Sequence, residues 1–128
     1  MSTDLTMLVF SALLTVLLSF PGVSALIFTK GLTAAVGNRD QEFELPAWSG
    51  RASRAHRNML ENLSVFAVLV LVAHLSGASN ETTALGATIF FWGRVAHAGA
   101  YIAGIPYLRT AAFGVSLTGM LMIAWVIL

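Results

Sequence analysis

The chain has 128 residues, of which 57% are hydrophobic and 10% charged, and its formal net charge is +1. That is too apolar and too charge-poor for a soluble domain of this length, where roughly a quarter of residues would be charged, and it leaves room for one domain, residues 1–128. The near-neutral balance argues against a nucleic-acid partner. The absence of cysteine excludes disulfides, thiolate metal sites and a protein thiol nucleophile, so any thiol chemistry requires sulfur from a ligand.

Leu5 to Phe28 is an apolar run long enough to cross a hydrocarbon core of roughly 30 Å. A signal peptide is the competing reading, with Val23-Ser24-Ala25 as its cleavage site. Asp4 replaces the expected basic n-region, however, and the apolar run continues past Ala25, so the stretch reads as a retained span over residues 5–29. Pro21 is expected to kink it. Lys30 to Gly50 reads as a polar loop punctuated by Gly37-Asn38 and Pro46, with Trp48 at the headgroup level.

The second span, about residues 52–76, opens with RASRAHRNMLEN before turning apolar. At about 3.6 residues per turn, Arg54, Asn58, Glu61 and Val65 fall on one stripe, with Arg57 beside it. Ser76 to Asn80 is a tight turn. The third span, about 81–105, carries Arg94, His97 and Tyr101 at i, i+3 and i+7 and therefore on one face. Its Trp92 is expected to pack. Gly104-Ile105-Pro106 breaks the chain, and the fourth span, about 107–128, begins with Arg109 and Thr110. Gly86, Gly93, Gly99 and Gly114 are expected where helices approach closely. The sum is an all-α protein: a transmembrane four-helix bundle of left-handed, up-down form. No metal site is expected from three scattered histidines.

With four spans, Lys30, Arg39, Arg51, Arg54, Arg57 and Arg109 lie at one side of the membrane. The positive-inside rule then puts both termini on the non-cytoplasmic side. The short turn makes spans two and three antiparallel neighbours. Counted from that turn at about 1.5 Å per residue, Glu61 and Arg94 share a depth of roughly 20 Å. Asn58 then matches His97, and Arg54 matches Tyr101. Glu61 and Arg94 read alternatively as a buried pair that fixes helix register. That pairing leaves Arg54, Arg57 and Arg109 in surplus, and an arginine does not deprotonate to escape burial. The surplus calls for an anionic ligand reached from the cytoplasm.

Two motifs, R-A-H-R-N-x-x-E at Arg54–Glu61 and G-R-V-A-H-x-x-x-Y at Gly93–Tyr101, resemble those of the MAPEG family, the membrane-associated proteins of eicosanoid and glutathione metabolism. The resemblance covers essentially the whole chain and is to the small bacterial-type members. It implies a homotrimer that binds glutathione as co-substrate between subunits near the cytoplasmic face. By motif, Arg57, Asn58, Glu61, His97, Tyr101 and Arg109 contact glutathione, with Arg54 in the same basic set, and Arg94 supports the site from the interior. Thr110 stands where the prostaglandin E synthase of the family has a catalytic serine, which makes Arg109, Thr110 and Tyr101 the catalytic candidates. Lys30 is the nearest match to a basic residue that family members use at the end of the first span. The implied activity is that of a glutathione transferase or peroxidase acting on a lipophilic electrophile from the membrane lipid. The rivals are a non-catalytic lipid-presenting or scaffold member of the same fold and, outside the family, a small anion transporter, for which there is no inverted repeat or broken helix.

Overall fold

Phe66 and Phe90 set the register of the molecule. Their rings stack with centroids 3.8 Å apart, and both residues are fully buried. They sit on two helices joined by the tight turn at Ser76–Asn80. A computed structural model describes residues 1–40 and 43–128. Among the described residues every regular element is helical: α1 Thr3–Leu18, α2 Phe20–Lys30, α3 Leu32–Val36, α4 Ala47–Leu75, α5 Glu81–Ala103 and α6 Pro106–Ile127.

The first span is two helices in file. Ser19 interrupts the ladder between α1 and α2, and Pro21 lies in the first turn of α2, where its missing N–H costs nothing. The polar connection contains the short helix α3. Gly31, with φ +88°, separates α3 from α2 in a conformation that disfavours side chains. α4 begins at Ala47, earlier than the expected 52, because Pro46 fixes an extended entry and everything after it folds as helix. α5 starts in a reciprocal cap: Asn80 Oδ1 accepts from Thr83 N–H at 3.0 Å, and Thr83 Oγ1 accepts from Asn80 N–H at 2.8 Å. It ends at Gly104 in the left-handed region, φ 78°.

The core gathers Met59, Phe66, Val70 and Ala73 of α4, Ala87, Phe90 and Ala98 of α5, Met120 and Ile123 of α6, and Leu18 of α1. α5 packs against α1, α4 and α6, and α4 against α1 and α6. The α5–α6 contact is made close by glycine. A Cβ on Gly86 would stand 2.7 Å from the Gly119 carbonyl, and one on Gly93 would stand 2.9 Å from the Ser116 nitrogen. Gly99 and Gly114, also expected at close approaches, face open space in the single chain. α1 turns a seam of small and polar groups inward, with Asp4, Ser11, Thr15 and Leu18 buried.

Among the described residues three helical stretches are long and apolar enough to cross a membrane: Thr3–Lys30, Ala47–Leu75 and Pro106–Ile127. α5 is not among them. Its 23 residues are sufficient in length, but Arg94, His97 and Tyr101 lower its hydropathy. The helix surfaces, α5 included, agree with a lipid setting: Leu13, Leu17, Val68, Leu85, Leu121 and Trp125 all point outward. Trp92 joins them at 60% exposure instead of packing inside, with Phe91 edge-on against it.

Candidate functional site

The Phe66–Phe90 stack fixes what lies one turn nearer the basic end. Arg94 is one turn beyond Phe90 on α5, and it is only 1% exposed. Its Nη2 donates to Asn58 Oδ1 at 2.5 Å and lies 3.2 Å from His97 Nδ1. Asn62 supports the same amide: its Nδ2 donates to the Asn58 backbone carbonyl at 2.8 Å and to Asn58 Oδ1 at 3.2 Å. Among the described residues nothing accepts from Arg94 Nε or Nη1, although both are buried. A buried guanidinium with unmatched donors is costly in a protein interior.

Beyond this layer Asn58, His97, Tyr101, Arg109, Thr110 and Phe113 line a cavity of about 280 Å³. Three helices build it. α4 supplies Asn58, α5 supplies His97 and Tyr101, and α6 supplies the rest from its first two turns. The α5–α6 corner places those turns: Gly104 ends one helix, Pro106 starts the next, and Arg109 N–H donates to the Ile105 carbonyl at 3.0 Å. Arg51 of α4 ties the corner down, with Nε donating to the Ile102 carbonyl at 2.9 Å, where a cation also meets the negative end of α5.

Tyr101 is the hinge of the charge arrangement. The Arg109 guanidinium carbon lies 4.7 Å from its ring centroid, and that of Arg54 lies 6.0 Å away. His97 meets the ring edge-on at 5.5 Å. A second cavity of about 190 Å³ shares Tyr101 and Arg109 with the first and adds Arg51 and Arg54. Three arginines and a tyrosine thus border two adjoining spaces, and among the described residues no acidic side chain lines either. Such a lining attracts an anion.

The expected matches Arg54–Tyr101 and Asn58–His97 are found in contact or on one cavity wall. The buried pair of Glu61 with Arg94, the alternative reading, is not formed. Glu61 is exposed, and Arg94 turns to Asn58. The reason is helical azimuth. Met59 marks the inward face of α4 at 1% exposure. Glu61 and Arg57 each stand two residues from it, about 200° around the helix and so on the far side. Arg57 instead lines a separate groove of about 390 Å³ with His56, Ser53 and Leu60 of α4 and with Leu18, Ser19, Gly22 and Val23 around the α1–α2 break. Lys30 ends α2 and is exposed. Thr110 is exposed at the cavity edge, and its hydroxyl donates to the Pro106 carbonyl at 3.1 Å. Sequence reasoning missed Asn62, Arg51 and Phe113. Asn62 carried a signal, since two asparagines four residues apart on an apolar helix meet side by side.

A family model described as the MAPEG family matches residues 5–128. The chain belongs to the MAPEG family. This family includes glutathione transferases and peroxidases as well as non-catalytic members. No curated protein and no solved structure matches the chain. In this MAPEG protein both motifs that carried the resemblance lie on facing helices, α4 and α5, and the layer between them holds Arg94, Asn58 and His97.

Proposed function

We propose that this MAPEG protein is an integral membrane, glutathione-dependent transferase or peroxidase that activates glutathione as a thiolate for attack on a lipophilic electrophile. One observation carries the reading: Arg109 and Arg54 lie beside Tyr101 at the meeting of two cavities whose linings, among the described residues, hold no carboxylate. Glutathione offers two carboxylates and a thiol to such a site. Arg54 and Arg109 suit the carboxylates or the sulfur through charge-assisted hydrogen bonds. A guanidinium beside a thiol favours the thiolate, which is the nucleophile. Arg109, Tyr101 and Thr110 are the groups placed to hold that charge. Arg57 and Glu61, outward on α4, reach glutathione only if the ligand extends over the α4 surface or a second subunit folds it there.

The architecture in which this operates is a four-span bundle of α1–α2, α4, α5 and α6. The fourth span is α5, whose 23 residues at about 1.5 Å each amount to roughly 34 Å. Its contacts with α1, α4 and α6 support that role. Basic residues gather at the α4–α2 end, which supports termini on the non-cytoplasmic side. A homotrimer agrees with the outward Glu61 and with the open faces at Gly99 and Gly114. The second substrate dissolves in the bilayer and arrives laterally between helices.

The test is turnover of the full-length protein in lipid vesicles with glutathione and a lipophilic electrophile, either a halonitroarene or a fatty-acid hydroperoxide. The expected result is glutathione-dependent consumption that saturates in glutathione and vanishes when S-methylglutathione replaces it. Saturable glutathione binding without consumption of either substrate would favour the non-catalytic scaffold reading instead.

A further inference from the structure

Resting on the glutathione reading, we infer that Arg94 is a positioning residue that sets the hydrogen-bond polarity of the cavity. It turns Asn58 and His97 so that both present donors to the cavity, and these two donors receive an acceptor group: the thiolate or a carboxylate of the ligand.

An arginine side chain has five N–H donors and no acceptor. Whatever its Nη2 meets must therefore accept. Asn58 meets it through Oδ1, and the same oxygen also receives Asn62 Nδ2. Both lone pairs of that oxygen are thereby engaged, and Nδ2 is the polar group that Asn58 has left for the cavity it lines. His97 meets Arg94 through Nδ1. Nδ1 must then carry its lone pair, so the ring proton sits on Nε2, at the opposite edge of the imidazole. His97 is buried at 3% exposure and lines the cavity, and Nε2–H is the one ring donor it has to offer there.

Arg109 adds donors from α6. Tyr101 can serve either way. Thr110 is the exception, because its proton goes to Pro106 and it offers lone pairs from the α6 side. The titratable and charged groups facing His97 are thus Arg94 on its own helix, Tyr101 one turn on and Arg109 from α6. None of them is an acceptor anion. A carboxylate or thiolate fits the Asn58 and His97 donors, and an ammonium does not.

Two measurements on the full-length protein in detergent micelles test the inference. The first is nitrogen NMR of histidine-labelled protein without glutathione, with the His97 signals assigned by their loss in His97→Gln. The expected result is a neutral ring protonated at Nε2 and bare at Nδ1. In Arg94→Met that preference should disappear. The second is Asn58→Asp, which keeps an oxygen for Arg94 but replaces the inward NH₂ by a second oxygen. Glutathione affinity should fall at least about 100-fold, while the unfolding temperature holds or rises because Arg94 gains a carboxylate. A His97 ring protonated at Nδ1, or glutathione binding by Asn58→Asp within about threefold of wild type, would overturn it. Because the tautomer is read without ligand, the two readings fail separately. Nε2–H with no glutathione binding in the wild type sinks the glutathione assignment alone. Nδ1–H with normal binding sinks the donor pair alone.

Discussion

Arg109→Ala is expected to lower glutathione-dependent turnover by roughly 10²–10³-fold while changing glutathione affinity much less. The guanidinium lies 4.7 Å from the Tyr101 ring centroid and borders both cavities, so it is the cation best placed for charge that develops on sulfur. Binding should survive because Arg54, Asn58 and His97 remain in place. Stability should change little, because among the described residues the Arg109 side chain makes no hydrogen bond that holds two helices together, unlike Arg51 at the α5 terminus. Steady-state rates together with the absorbance of bound thiolate separate the effects: kcat and thiolate fraction fall, KM moves little. Arg109→Lys should recover only part of the loss, because an ammonium lacks the planar fork and stacks poorly on Tyr101. Equal losses in binding and turnover would assign Arg109 to ligand capture instead.

Arg94→Met is expected to divide stability from function. A structural arginine would be missed on removal. Arg94, however, is fully buried with two N–H-bearing nitrogens that find no acceptor among the described residues, so its presence in the ligand-free protein is a cost. Methionine fills a similar volume with no polar atom. The unfolding temperature of the ligand-free variant should therefore match or exceed the wild type, as is often seen when buried charge gives way to packed apolar side chains. Glutathione affinity should fall at least about tenfold, because Asn58 and His97 lose the partner that orients them. Thermal unfolding with and without glutathione reads both at once: the wild type gains stability from the ligand and the variant gains little. A variant destabilised without ligand would show that the arginine holds the helices together.

The level of residues along α4 and α5 was legible in the sequence, and azimuth was only partly so. A five-residue turn between two helices leaves little freedom in how they line up, so counting residues from it paired Arg54 with Tyr101 and Asn58 with His97. The same count put Glu61 level with Arg94. It failed to bring them together because a stripe drawn through polar residues does not reveal where the buried face is centred. Met59 holds that centre, and its inward position depends on packing within the shared core of α1, α4, α5 and α6, which no local pattern encodes. Arg57, counted beside the same stripe, faces outward on α4 for the same reason. Glycines behaved alike: Gly86 and Gly93 meet α6 and Gly99 and Gly114 meet nothing in the single chain, although all four look the same in sequence. The early start of α4 was hidden by Trp48-Ser49-Gly50, which has loop composition but follows a proline already set for helix entry. The candidate site itself was visible chiefly because arginines are so rare in apolar helices that each one demands an explanation.

The most direct measurement is a glutathione titration of the purified wild-type protein in detergent, following the ultraviolet absorbance of the thiolate at neutral pH. The account predicts a saturable rise, with a thiolate yield well above that of free glutathione, and competition by S-methylglutathione, which occupies the site without an ionisable sulfur. A flat response, with no saturable binding by calorimetry, would mean that the cations around Tyr101 serve something other than this ligand.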